Sequence, residues 1–133
     1  MICASIAEKD LEICLKAIEK VEMAEIRIDL TEFSDDEIRK VFSQRKKLIA
    51  TCRPGKIKDN DRALMLKVAI GSGATYVDIE YEAPDAYKND LIDYAHSHQC
   101  DVIISYHNYE KTPDLEELEQ IVQQCYTQGA DLA

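Results

Sequence analysis

Residues 102–133 read VIISYHNYEKTPDLEELEQIVQQCYTQGADLA. The opening Val102–Ser105 run is short and β-branched, as suits a buried strand. A polar loop follows, and then Leu115, Leu118, Ile121, Val122 and Cys125 recur at helical spacing, the clearest apolar stripe in the chain. Thr112-Pro113 sets a cap residue ahead of a proline suited to a first helical position. Asp114, Glu116 and Glu117 favour the positive end of that helix. Gly129 closes it, and Ala130-Asp131-Leu132-Ala133 has the look of another strand beginning. The repeating unit is thus strand, loop, helix, next strand.

The same unit recurs upstream. Ile2–Ala7, Ala24–Leu30, Leu48–Cys52 and Tyr76–Ile79 are further strand-like runs. Leu11, Cys14, Leu15 and Ile18 form a helical stripe, Ser34 with Glu37 is a capping box, and Gly71 or Gly73 ends the helix before Tyr76. Alternating strands and helices imply a parallel sheet with right-handed crossovers. A five-stranded doubly wound sheet suits the length of 133 residues, whereas a whole (β/α)₈ barrel needs at least about 200. The strand that begins near Ala130 favours the barrel. The expectation is an incomplete (β/α)₈ TIM barrel, with about the first five βα units plus the start of strand six. Residues 1–133 would then form one domain, the N-terminal part of such a barrel. Its strands would pair in the order 1-2-3-4-5; a doubly wound sheet would show 2-1-3-4-5.

Bulk properties narrow the function. With 46% hydrophobic and 32% charged residues, the composition is that of a globular protein. A formal charge of −10 repels phosphate backbones and argues against nucleic acid as a partner. No apolar run approaches the ~20 residues of a membrane helix, and MICASIAEKD lacks the pattern of a signal peptide. The five cysteines, with no C-x-x-C pair, read as reduced and mostly buried thiols in a cytoplasmic protein. The three histidines have no zinc-ligand spacing, so no metal site is expected. Gly71-Ser72-Gly73 precedes a strand instead of following one, which excludes a dinucleotide loop.

Parallel α/β folds gather functional groups at the C-terminal ends of their strands. Glu25, Arg27 and Asp29 alternate along the second strand and would share one face. Arg53 ends the third, followed by Pro54-Gly55 and a polar loop to Arg62. Asp78 and Glu80 alternate on the fourth, and Ser105-Tyr106-His107-Asn108 ends the fifth. Charges inside a barrel are costly unless paired or engaged with a ligand. Glu25, Arg27 and Asp29 read equally well as a structural ion network, and Asp78 and Glu80 read best as partners of a neighbouring Arg or Lys. His107 gains weight from sharing a rim with two arginines, while His96 and His98 read as surface residues near a helix end.

Four motifs carry a family resemblance. Glu25-Ile26-Arg27-Ile28-Asp29 resembles the E-x-R-x-D strand of type I 3-dehydroquinate dehydratases. Ala50-Thr51-Cys52-Arg53 is similar to that family's next strand, Tyr76-Val77-Asp78-Ile79-Glu80 to its Y-I-D-L-E strand, and Ile104–Pro113 to its S-x-H-D-F-x-x-T-P segment. They occur in family order over nearly the whole chain. The resemblance implies a (β/α)₈ barrel lyase of the shikimate pathway that converts 3-dehydroquinate to 3-dehydroshikimate through a lysine Schiff base, with no external cofactor. It makes His107 the acid/base and Glu25, Arg27 and Arg53 the substrate-binding residues. The chain departs from the pattern after Arg53, where Pro-Gly-Lys-Ile-Lys-Asp replaces a glutamate and glycine pair; Asp59 is a candidate substitute. Asn108 stands where the family has Asp. The Schiff-base lysine is expected on strand six, just beyond Ala133, with the carboxylate-binding arginine and closing loop in the missing half. Lys46, Lys47, Lys56, Lys58 and Lys67 are not at suitable strand ends, and Lys111 lies in a loop entering a helix. The 133 residues alone are therefore expected to be inactive.

Two other functions fit the pattern of residues. One is a small doubly wound anion-binding module that uses Arg27 and Arg53 without catalysis. The other is an interaction protein whose open sheet edges pair with another chain, a homodimer being one way to cover them.

Overall fold

The computed structural model describes residues 2–133. Five strands alternate with helices: β1 (Cys3–Ile6), β2 (Met23–Arg27), β3 (Lys47–Thr51), β4 (Tyr76–Glu80) and β5 (Asp101–Ser105). They form one parallel sheet in the order β1-β2-β3-β4-β5. This is the order of successive staves in a barrel. It overturns the doubly wound alternative, in which the chain would cross back to place β1 inside the sheet.

Pleating divides each strand between two faces. Ile6, Ala24, Ile26, Leu48, Ala50, Val77, Ile79, Val102 and Ile104 are buried against the helices. α1 (Leu11–Glu19) adds Cys14 and Ile18 to this core, and α3 (Asp35–Phe42) adds Ile38, Val41 and Phe42. α4 (Asp59–Gly71) and α5 (Asp85–Ser97) bring Leu66, Ile70, Leu91 and Ala95. Each fully buried aliphatic or aromatic side chain here stabilises the fold by about 1.5–3 kcal/mol. The opposite face, which becomes the interior of a barrel, carries Glu25, Arg27, Asp78, Glu80 and Ser105.

The helix ends follow the local chemistry. Asp10 caps α1 by accepting from the Ile13 amide at 3.0 Å. Ser34 and Glu37 form the reciprocal capping box at the start of α3. The last helix, α6 (Leu115–Thr127), starts later than Thr112-Pro113 suggests. Its cap is Asp114, whose carboxylate accepts from the Glu117 amide at 2.9 Å. The stripe on α6, the clearest in the sequence, is also the least covered: Cys125 is buried, but Leu115 is 72% and Val122 44% exposed. Beyond Gly129, Leu132 bridges Ile103 in parallel, and its carbonyl accepts from the Ile104 amide at 3.1 Å. A sixth stave thus begins to pair with β5. The architecture is an incomplete (β/α)₈ barrel.

Candidate functional site

β2 ends sooner than its alternating charges suggest. Arg27 is its last residue, and Ile28–Thr31 turns into a single helical turn, α2. Asp29 therefore does not share a strand face with Glu25 and Arg27, which corrects the sequence expectation. The turn instead folds Asp29 back onto Arg27, whose Nε and Nη2 donate to its two carboxylate oxygens at 3.1 and 2.8 Å. Burial opposes ionisation of Asp29. Donation from Arg27 and from the Arg53 backbone outweighs it and holds the carboxyl below its usual range. Glu25, two residues before Arg27, accepts from Ser5 Oγ at 2.6 Å on the neighbouring strand.

Arg53, two residues past β3, reaches sideways across the next two strands. Its Nη1 and Nη2 donate to Asp78 Oδ1 and Oδ2 at 3.2 and 3.0 Å. Nη1 also donates to Ser105 Oγ at 2.9 Å, and Ser105 in turn donates to Asp78 Oδ1 at 2.6 Å. Burial raises the Asp78 carboxyl above its ordinary value, against the opposing pull of Ser105 and Arg53. A bidentate clamp of this kind fixes the guanidinium plane as well as its position.

His107 stands on the far side of that guanidinium, with Nε2 3.4 Å from Arg53 Nη2. Guanidinium nitrogens only donate, so this contact requires an unprotonated Nε2. Asn108 does not support the histidine. Its Oδ1 accepts from the Glu110 and Lys111 amides at 3.0 and 3.1 Å, closing its own loop. Glu25, Arg27, Arg53, Glu80, His107 and Tyr109 all line one cleft of 430 Å³ at the C-terminal ends of the strands. The four residues singled out in the sequence thus meet in one place. Among the described residues no lysine lines this cleft.

Behind the cleft, Arg62 in the first turn of α4 is 2% exposed. It donates to the Cys52 carbonyl at 2.8 Å, to Asp59 at 2.9 Å and to Glu80 Oε2 at 2.7 Å. Asp59, a candidate for the loop glutamate, is thus occupied with Arg62. Sequence reading missed Arg62 and Ser105 as parts of the site. The i, i+3 spacing of Asp59 and Arg62 was the only available signal for the former.

Over residues 2–133 the chain matches the family described as type I 3-dehydroquinase. The chain belongs to this family. It is similar to the 3-dehydroquinate dehydratase of Methanosarcina barkeri, with 33% identity over 147 residues covering 99% of this chain and 61% of that protein. Among solved structures of the family, one from Aquifex aeolicus is 25% identical with a TM-score of 0.79, covering 98% of this chain and 64% of that one. Another, from Clostridium difficile, superposes with a TM-score of 0.85 at 23% identity, covering 97% of this chain and 59% of that one. The chain thus spans about three fifths of the length of these family members. The first of these solved structures joins the family match; the second supports the fold alone.

Proposed function

We propose that this chain forms the His107-bearing half of a 3-dehydroquinate dehydratase site, and that the reaction is dehydration to 3-dehydroshikimate through a lysine imine. The observation that carries this reading is the cleft in which His107 meets Arg53, Arg27 and Glu25, within a member of the type I 3-dehydroquinase family. A lysine amine and the substrate ketone condense with loss of water, and the imine draws electrons from the adjacent carbon. His107 Nε2, unprotonated where it faces Arg53, gives up that contact to remove the proton from that carbon. The enamine then expels the hydroxyl one carbon further on, His107 returns its proton to that leaving group, and hydrolysis frees the lysine. The net change is loss of one water, with no redox step and no external cofactor.

Arg27, Arg53 and Glu25 suit the substrate's hydroxyls: two donors and one acceptor on one rim. The 133 residues read as one domain in this proposal. Four of the five cysteines are buried and all five are free thiols, which suits a cytoplasmic setting. Among the described residues no helix is long and apolar enough to cross a membrane.

The test is binding. Addition of 3-dehydroquinate to isotope-labelled protein should move the side-chain resonances of His107 and Arg27 together with those of Arg53, which also borders the neighbouring hollow. Movement confined to the neighbouring hollow around Lys9, Lys56 and Met65, or none at all, would count against this assignment.

A further inference from the structure

Arg53 has two carboxylates within ion-pair distance and hydrogen-bonds only one of them. Asp78 takes both of its outer nitrogens at 3.2 and 3.0 Å, while Glu80 Oε1 stays 3.6 Å from Nη1 and has no hydrogen bond. Glu80 is 8% exposed, so its charge needs a partner. That partner is Arg62, which holds the other oxygen at 2.7 Å. We infer that Arg62 is a positioning residue for Arg53: it occupies Glu80, leaving Arg53 clamped to Asp78 and facing His107. The inference rests on the reading above only in giving Arg53 a substrate to bind.

The geometry makes the coupling direct. Arg62 makes three contacts, one within its own helix and two to other segments. It holds the carbonyl of Cys52, the residue before Arg53; Asp59 at the start of α4; and Glu80 at the end of β4. The Tyr87 ring lies 5.1 Å from the guanidinium carbon and covers it. Without Arg62, a buried carboxylate would be left beside Arg53, its one other cationic partner among the described residues. Glu80 would then draw Arg53 away from Asp78, Ser105 and His107. Simple loss of packing does not predict this, because it gives Arg53 no new partner.

The experiment compares Arg62→Met, Glu80→Gln and the double variant in the 133-residue chain. It reads the guanidinium and imidazole resonances of Arg53 and His107 in the free protein. Arg62→Met should shift both sets as Arg53 exchanges Asp78 for Glu80. Adding Glu80→Gln should return both toward the wild-type positions, since no stranded charge remains to compete for Arg53. The lost Cys52 carbonyl contact would still leave the double variant less stable than wild type. Wild-type Arg53 signals in a folded Arg62→Met chain would overturn the proposal. So would a double variant in which they stay displaced, and this arm decides the matter if Arg62→Met alone fails to fold. Failure of the wild-type chain to bind 3-dehydroquinate would count against the functional reading only, because these signals are read without ligand.

Discussion

Arg53 and Asp78 face each other across adjacent strands, paired through both guanidinium ends at 3.2 and 3.0 Å with Asp78 only 8% exposed. A carboxylate so buried depends on its cation. Arg53→Met should therefore destabilise the chain by about 3–5 kcal/mol, measured by urea unfolding. Changing Asp78 to Asn in the same background should recover much of the loss. If the double variant is as unstable as Arg53→Met alone, the pair is not what makes the arginine matter to stability.

Asp29 gives a pH signature of known sign. Its carboxyl is held below the usual range in the folded state. Its stabilising effect is thus fully present above the ordinary carboxylate pKa of about 3.9 and is lost as pH falls through the lower folded value. The stability gap between wild type and Asp29→Asn should be constant near neutrality and close in acid. A gap that stays unchanged from neutrality to below pH 3 would contradict the Arg27–Asp29 ion pair.

Gly73 adopts φ +110°, and a Cβ there would meet the Phe42 carbonyl oxygen at 3.1 Å. Gly73→Ala combines left-handed strain with a backbone contact and should cost about 1–2 kcal/mol. Gly55→Ala, with nothing within 4 Å of its Cβ, should fall within about 0.5 kcal/mol of wild type. Equal melting temperatures for the two variants would show that the turn before β4 tolerates a side chain.

The fold was legible because strand and helix signals alternate without interruption, and the strands pair in the order expected of barrel staves. The start of a sixth strand was legible from Gly129 onward, and Leu132 does bridge Ile103. Boundaries were less so. Ile28-Asp29-Leu30 continues the apolar alternation of β2, yet the chain turns helical after Arg27, and no glycine or proline marks the change. The α6 cap at Asp114 was hidden by Thr112-Pro113, an equally good cap signal two residues earlier. Within the site, Glu25, Arg27, Arg53 and His107 could be named from strand ends and motifs. The Arg62–Glu80 pair could not, because its members are 18 residues apart and meet only through the packing of α4 against β4.

Uncovered surface predicts association. Ile2 is 85% exposed beside the β1 edge, and Leu115, Val122, Tyr126 and Leu132 are exposed at the other end of the sheet. Apolar surface and open edges of this kind invite pairing with another chain. Sedimentation of the 133-residue chain should show concentration-dependent association, with a homodimer as the smallest species. A monomer across the accessible concentration range would mean that these edges are protected in solution.

The most direct test of His107 as the acid/base follows 3-dehydroshikimate absorbance. The 133-residue chain is compared with the same chain extended through the sixth to eighth barrel strands of a family member, with and without His107→Ala. The extended chain should turn over and form a borohydride-trappable imine, while the 133 residues alone should do neither. His107→Ala should lower turnover by about 10²–10⁴-fold, the usual contribution of a positioned acid/base. Full turnover by the extended His107→Ala chain, or by the 133 residues alone, would contradict the account.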